Sequence, residues 1–212
     1  MREPKCKTID LETYPRKDHF LYFKDFSYPY VGMVVNIDIT HFLKVVKDKK
    51  LPFFLSFLYF VVNAANSIPE LKRRIDKDQI IEYDNCLSSH TVLKDDETFC
   101  YCTLDCTKPF DEYIKEAYDL NETAKKKGSI HDDANLLTTY FISCVPWISY
   151  TSLLQPTPYP ADSNPRFNWG KYFTSEGKIL IPVSIQANHA LVDGLHISAF
   201  YLKLQKELDN FQ

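Results

Sequence analysis

Apolar and polar positions change period several times along this chain. Between Tyr28 and Asp38 the apolar run Val31 to Val35 predicts a strand, and Thr40 is placed to cap a short helix running through Val46. Pro52 suits a first helical turn and opens a strongly apolar helix reaching about Ser67. Its polar positions, Ser56, Asn63, Asn66 and Ser67, leave a broad apolar face, so the helix should be buried. Ile68-Pro69-Glu70-Leu71 breaks it, and a short basic helix is expected next. Strands are then predicted at Gln79 to Asp84, His90 to Leu93 and Thr98 to Leu104. Phe110 to Lys126 reads as a helix ended by Gly128. Leu137 to Ser143 and Trp147 to Ser152 have strand character, and Gln155 to Arg166, rich in proline and small polar residues, reads as a loop. Trp169 to Thr174 and Lys178 to Gln186 flank Ser175-Glu176-Gly177, a hairpin signal. From Leu195 the spacing Ile197, Tyr201, Leu204, Leu208, Phe211 gives a helical stripe. Helices and strands mix without regular βαβ alternation. The predicted fold is α+β: residues 1–212 form a single domain, a two-layer sandwich of a mixed sheet with helices on one face.

Composition narrows the function classes. The chain has 212 residues, 45% hydrophobic and 25% charged, enough for a sizeable core in an ordinary globular protein. A net charge of -3 argues against a nucleic-acid partner. The longest apolar run, Leu51 to Val62, is too short to span a bilayer. Met1-Arg2-Glu3-Pro4-Lys5 leads into charged and polar residues rather than an apolar leader, which predicts a cytoplasmic protein. Five glycines leave no glycine-rich phosphate loop. The six cysteines form no C-x-x-C pair, and no metal site is expected; they read as reduced, buried small hydrophobes. Cys100 and Cys102 alternate in a strand and should face one side. Cys144 is a weaker candidate nucleophile.

The stretch with chemical content is Asn188-His189-Ala190-Leu191-Val192-Asp193-Gly194, between a predicted strand and the last helix. A histidine at a strand end is held rigidly and can take a hydroxyl proton near neutral pH. The plain alternative for His189 alone is a satisfied core histidine; for Ser143, a strand serine; for Arg16, a surface charge. Asp193 could orient His189, as an acid does in a hydrolase triad. A tight strand-to-helix turn accounts for Gly194. His19, close to Arg16, and His41, His90, His131 and His196 read as structural or exposed.

Four segments taken together, in order and spacing, resemble the chloramphenicol acetyltransferases: Tyr14-Pro15-Arg16-Lys17-Asp18-His19-Phe20, Ile142-Ser143-Cys144-Val145-Pro146-Trp147, Gly170-Lys171-Tyr172, and Ile185 to Gly194. The likeness covers essentially the whole chain from Arg16 on. It implies acetyl transfer from acetyl-CoA to an acceptor hydroxyl, by direct attack in a ternary complex, which inactivates the antibiotic. His189 matches the general base, Ser143 the serine that donates to the oxyanion, and Arg16 with Asp193 a structural ion pair. It also implies a homotrimer with active sites between subunits, so that Ser143 and His189 would meet across an interface.

The sequence departs from the family in places. Asn188 stands where a first histidine is usual. Asn168 matches a threonine that positions a water, and Phe23 a tyrosine that bonds the antibiotic. Phe99 keeps a pocket phenylalanine; Ile130 aligns with a pocket aromatic and Gln155, loosely, with a pocket leucine. Trp147 and Tyr172 match aromatics near the CoA tunnel, with core or hairpin packing as their plain alternative. These changes cluster on the acceptor side, so a different small hydroxylated acceptor is the rival expectation. A transferase acting on a lipoyl thiol or carrier-bound acyl group and a non-catalytic binding homologue are the others.

Overall fold

The computed structural model describes residues 3–130 and 135–212. His131, read above as structural or exposed, lies outside them, as do Met1 and Arg2. In chain order the described residues form β1 (Cys6–Ile9), α1 (Lys17–Phe23), β2 (Tyr30–Asp38), α2 (Thr40–Asp48), α3 (Phe53–Asn66), β3 (Arg73–Asp76), β4 (Gln79–Tyr83), β5 (Leu87–Leu93), β6 (Phe99–Leu104), α4 (Phe110–Lys127), β7 (Thr139–Val145), β8 (Arg166–Gly170), β9 (Phe173–Ser175), β10 (Lys178–Asn188) and α5 (Gly194–Asp209).

The main sheet runs β2-β10-β8-β7-β5-β6, with β9 pairing beside β8 along the same edge of β10. β10 is antiparallel to β2 and β8, while β5, β7 and β8 run parallel, so the sheet is mixed. Period-two alternation on these strands divides two environments. On one face Phe167 and Trp169 of β8 and Val183 and Ile185 of β10 are buried under helices. Trp169 meets Phe54 and Phe57 of α3, Phe167 meets Phe200 of α5, and Cys100 of β6 lies 3.2 Å from the Ala124 carbonyl of α4. Fully burying each such aromatic is worth about 1.5–3 kcal/mol, so this layer carries much of the core. The stripe Ile197, Tyr201, Leu204, Leu208 and Phe211 is buried along its length. The architecture is the α+β, mixed-sheet, one-faced helical layer that the pattern predicted.

The opposite face carries a polar row. The register aligns Ser143 of β7 with Asn168 of β8, and Asn168 with Ser184 of β10. Thr91 of β5 joins the row with its hydroxyl 3.0 Å from that of Ser143. The long connection between β7 and β8 crosses over this face and covers it.

Several local expectations are corrected. The basic segment after Leu71 is not a helix: after a short 3-10 turn, Arg73–Asp76 is a strand in a second sheet, β1-β4-β3. Arg74 is fully buried there because its guanidinium donates to the carbonyls of Leu71 (2.8 Å) and Thr139 (3.0 Å). Strand β1 escaped the pattern reading. Trp147 to Ser152 forms no strand, because β8 already pairs on both sides and the segment has no open edge to join. Trp169 to Thr174 is split, since Lys171 donates its N–H to the Ile148 carbonyl (2.8 Å) and leaves the ladder. Thr40 is not a cap but the first helical residue, bonded through its N–H to Asp38. Cys6 is exposed and Cys144 partly so, against the expectation of burial; none of the six forms a disulfide. Gly194 has an ordinary backbone and open space around it, so no tight turn demands a glycine there. Among the described residues, no helix is long and apolar enough to cross a membrane.

Candidate active site

Two groups of side chains stand where the sequence reading looked for chemistry. The first forms at the end of β10. The His189 N–H donates to the Pro29 carbonyl at 2.6 Å, tying the loop to the segment before β2. Asn188 fixes the turn that follows: its Oδ1 accepts from Ala190 N–H (3.0 Å), its Nδ2 donates to the Asp162 carbonyl (3.0 Å), and its own carbonyl accepts from Leu191 and Val192. The carboxamide supplies both the acceptor and the donor that this turn uses.

The His189 ring is held by two contacts and its backbone by a third. Its Nδ1 lies 2.8 Å from the Val192 carbonyl. Phe23 stacks on its face, with ring centroids 4.3 Å apart. The Arg16 guanidinium reaches the His189 carbonyl at 3.5 Å and forms an ion pair with Asp193. Asp193 does not meet the imidazole. Its carboxylate also accepts from Leu195 N–H (3.0 Å), and its own N–H donates to His196 Nδ1 (3.1 Å), a reciprocal cap on α5. Burial pushes the Asp193 carboxyl up, but the His196 ring, the Arg16 guanidinium and the Leu195 N–H together pull it below its ordinary value. Burial holds His196 below the usual histidine range, which suits an Nδ1 that accepts rather than donates.

The second group lines a cavity of about 1290 Å³ over the polar row and the ends of β7 and β8. Ser143, Asn168, Phe99, Ile130, Trp147 and Tyr172 all line it, as does Gln155. His189, Phe23, Arg16 and Asp193 are not among its lining residues. One chain therefore holds the two halves apart, with Phe23 beside His189 rather than in the cavity with Phe99. Cys144 lines the cavity too, but burial pushes its thiol up to about 12, so it is a neutral thiol and a poor nucleophile at neutral pH.

The structure adds residues the sequence reading missed. Thr91 braces Ser143, the Val192 carbonyl orients His189, and Tyr150 hydrogen-bonds Asn168 at 3.0 Å. Sheet register brings the first pair together, and no sequence spacing announces it.

Comparisons with known proteins fit this arrangement. A solved probable dihydrolipoamide acetyltransferase of Listeria monocytogenes shares the fold, with a TM-score of 0.68 at 15% identity over 91% of this chain and 88% of that one. The chain thus has the fold of a class of acyltransferases. Within that class the match sharpens: a solved chloramphenicol acetyltransferase superposes with a TM-score of 0.89 at 26% identity, covering 96% of this chain and 100% of the other. A chloramphenicol acetyltransferase of Bacillus pumilus is 32% identical over 92% of this chain and 89% of its own length. The sequence model of the chloramphenicol acetyltransferase family matches residues 5–205, and the chain belongs to that family.

Proposed function

We propose that the protein is an acetyl-CoA-dependent O-acetyltransferase that moves an acetyl group onto a hydroxyl of chloramphenicol, inactivating the antibiotic in the cytoplasm. The observation that carries this reading is the bond between His189 Nδ1 and the Val192 carbonyl at 2.8 Å. A carbonyl oxygen can only accept, so Nδ1 carries the hydrogen and Nε2 is left with a free lone pair. That nitrogen takes the acceptor's hydroxyl proton. The alkoxide oxygen bonds to the thioester carbonyl carbon in a ternary complex, and its electron pair moves onto the carbonyl oxygen. The oxyanion takes a hydrogen bond from Ser143; once Ser143 gives its proton to the oxyanion, the Thr91 hydroxyl 3.0 Å away is left as the donor of the pair. Collapse breaks the carbon–sulfur bond, and the departing thiolate takes the proton from the imidazolium. Asp193 and Arg16 hold the loop and move no proton.

The separation of the two halves within one chain supports a homotrimer in which His189 of one copy faces the cavity of the next. Trp147 and Tyr172 then flank the coenzyme's path, and Lys171, exposed among the cavity-lining residues, suits a phosphate-bearing co-substrate. Phe23 stacks on the imidazole and offers no hydroxyl, which favours a second reading: an acceptor other than chloramphenicol, carrying its hydroxyl in a different setting.

The test is free-thiol release from acetyl-CoA in the presence of chloramphenicol. Release that disappears in His189→Ala supports the reading; absence of release from the folded wild-type protein overturns chloramphenicol as the acceptor. Mixing His189→Ala and Ser143→Ala chains tests the shared site. Co-refolded chains that regain activity place the two residues in different copies.

A further inference from the structure

The polar row carries one more hydrogen-bond chain. Tyr150 lies in the crossover that covers the sheet, and its hydroxyl is 3.0 Å from Asn168 Oδ1 and 3.3 Å from Ser184 Oγ. Ser184 is itself anchored, its hydroxyl 3.3 Å from the Asn168 carbonyl. The ring reaches this position because residue 170 has no side chain. A Cβ on Gly170 would stand 3.0 Å from Tyr150 Cδ1 and 2.9 Å from the Ile148 carbonyl. Burial pushes the Tyr150 hydroxyl up to about 12, so it stays protonated and able to donate across the neutral range.

A phenol is a better donor than acceptor, and an amide oxygen is the strongest acceptor in its reach. The bond therefore sets the carboxamide: Oδ1 turns to Tyr150 and Nδ2 turns away from it. Asn168 is buried, lines the cavity, and is the register partner of Ser143 on the same face of the sheet. Among the described residues no acceptor meets its Nδ2.

We propose that Tyr150 is a positioning residue that locks the Asn168 carboxamide with its NH2 group toward the cavity, so that Asn168 and Ser143 together donate to the oxyanion. The inference rests on the acetyl-transfer reading. A carboxamide free to turn would present its oxygen to the developing negative charge half of the time, and an oxygen there repels it. The lock matters only when charge develops, so it acts on kcat and leaves ground-state binding alone.

The experiment measures kcat and both KM values for Tyr150→Phe, Asn168→Ala and the double variant. Asn168→Ala should lower kcat about 100-fold, as loss of an oxyanion donor does. Tyr150→Phe should lower kcat about tenfold and leave both KM values within about twofold. The double variant should be no worse than Asn168→Ala alone, since the lock has nothing left to position. If Asn168→Ala does not fold, Asn168→Ser replaces it in the cycle. A wild-type kcat in Tyr150→Phe, or effects that multiply in the double variant, overturns the proposal. A wild-type protein that turns over no acceptor removes the acetyl-transfer reading instead. In that event nuclear magnetic resonance decides the lock alone. The side-chain NH2 signals of Asn168 should move in Tyr150→Phe, and unmoved signals overturn it.

Discussion

His189 Nδ1 sits 2.8 Å from the carbonyl oxygen of Val192, three residues further along the same loop. The hydrogen bond that orients the imidazole is thus made by the backbone, not by a carboxylate. Nitrogen resonances of a selectively labelled sample should show Nδ1 protonated and Nε2 bare in the neutral ring. Replacement by His189→Gln keeps a side chain of similar reach without a base. It should lower kcat about 100- to 10,000-fold, the usual contribution of a general base. A loss below tenfold would leave some other group taking the proton.

Asp193 is tied to Arg16 and to the start of α5, so Asp193→Asn should loosen the loop rather than remove a proton carrier. Asparagine still caps a helix, and the pair is partly exposed, so the stability loss should stay below the ~3–5 kcal/mol of a broken buried pair. Misplacing His189 should cost about 10- to 100-fold in kcat, with the shape of the pH–rate profile unchanged. The carboxyl is held below its ordinary value, so its contribution to stability is present above the unfolded value of about 3.9 and fades as pH falls through the folded one. Denaturation of wild type and Asp193→Asn should accordingly converge only as pH falls through that lowered value. Divergence there would mean the ion pair is not what the substitution removes.

Thr91 and Ser143 share one short contact, 3.0 Å between hydroxyl oxygens. Thr91→Val keeps the shape and removes the hydroxyl, so Ser143 loses its hydrogen-bond partner in the row. The expected result is a fall in kcat of about tenfold, with KM for acetyl-CoA unchanged, against about 100- to 1,000-fold for Ser143→Ala. Equal losses in the two variants would assign Thr91 a direct role.

His90 is fully buried on the helix-facing side of β5, with Nε2 3.1 Å from Asn121 Oδ1. Burial brings it down to about 4, against the opposing pull of Asn121. The unfolded chain therefore binds the proton more readily than the folded one. Stability should be unaffected by this group above pH ~6.5 and fall by roughly 3 kcal/mol between there and pH ~4. His90→Gln should flatten that part of the stability profile, as read by chemical denaturation at several pH values; an unchanged slope would place the acid sensitivity elsewhere.

How much of this was legible in the sequence varies with the range of the forces involved. Helix α3, the stripe on α5 and the strand ending just before His189 were readable because each is set by local period and by the residues that end it. Arg73–Asp76 was misread because a basic composition says surface, while buried carbonyls from Leu71 and Thr139 make a buried arginine affordable. Trp147 to Ser152 was misread because strand propensity says nothing about whether an edge is free. The seven cavity residues, Gln155 included, were found through family spacing. Thr91 and Tyr150 were not, since they reach the row through sheet register and a crossover, which act across 52 and 18 residues of separation. The separation of His189 from the cavity is set by no local period, and only the family resemblance implied it.

Phe23 stacks on His189 at 4.3 Å between ring centroids. The family resemblance puts a tyrosine at this position, bonded to the antibiotic. Phe23→Tyr adds only a hydroxyl at the ring's far edge, leaving the stacked face as it is. If chloramphenicol is seated against this face, the new hydroxyl gains one hydrogen bond, about 0.5–1.5 kcal/mol or roughly 2- to 12-fold in affinity. The KM for chloramphenicol should drop by that factor while the KM for acetyl-CoA stays constant. An unchanged or raised KM for chloramphenicol would mean that the acceptor does not approach His189 past Phe23, and that the altered residues around the site serve a different hydroxylated molecule.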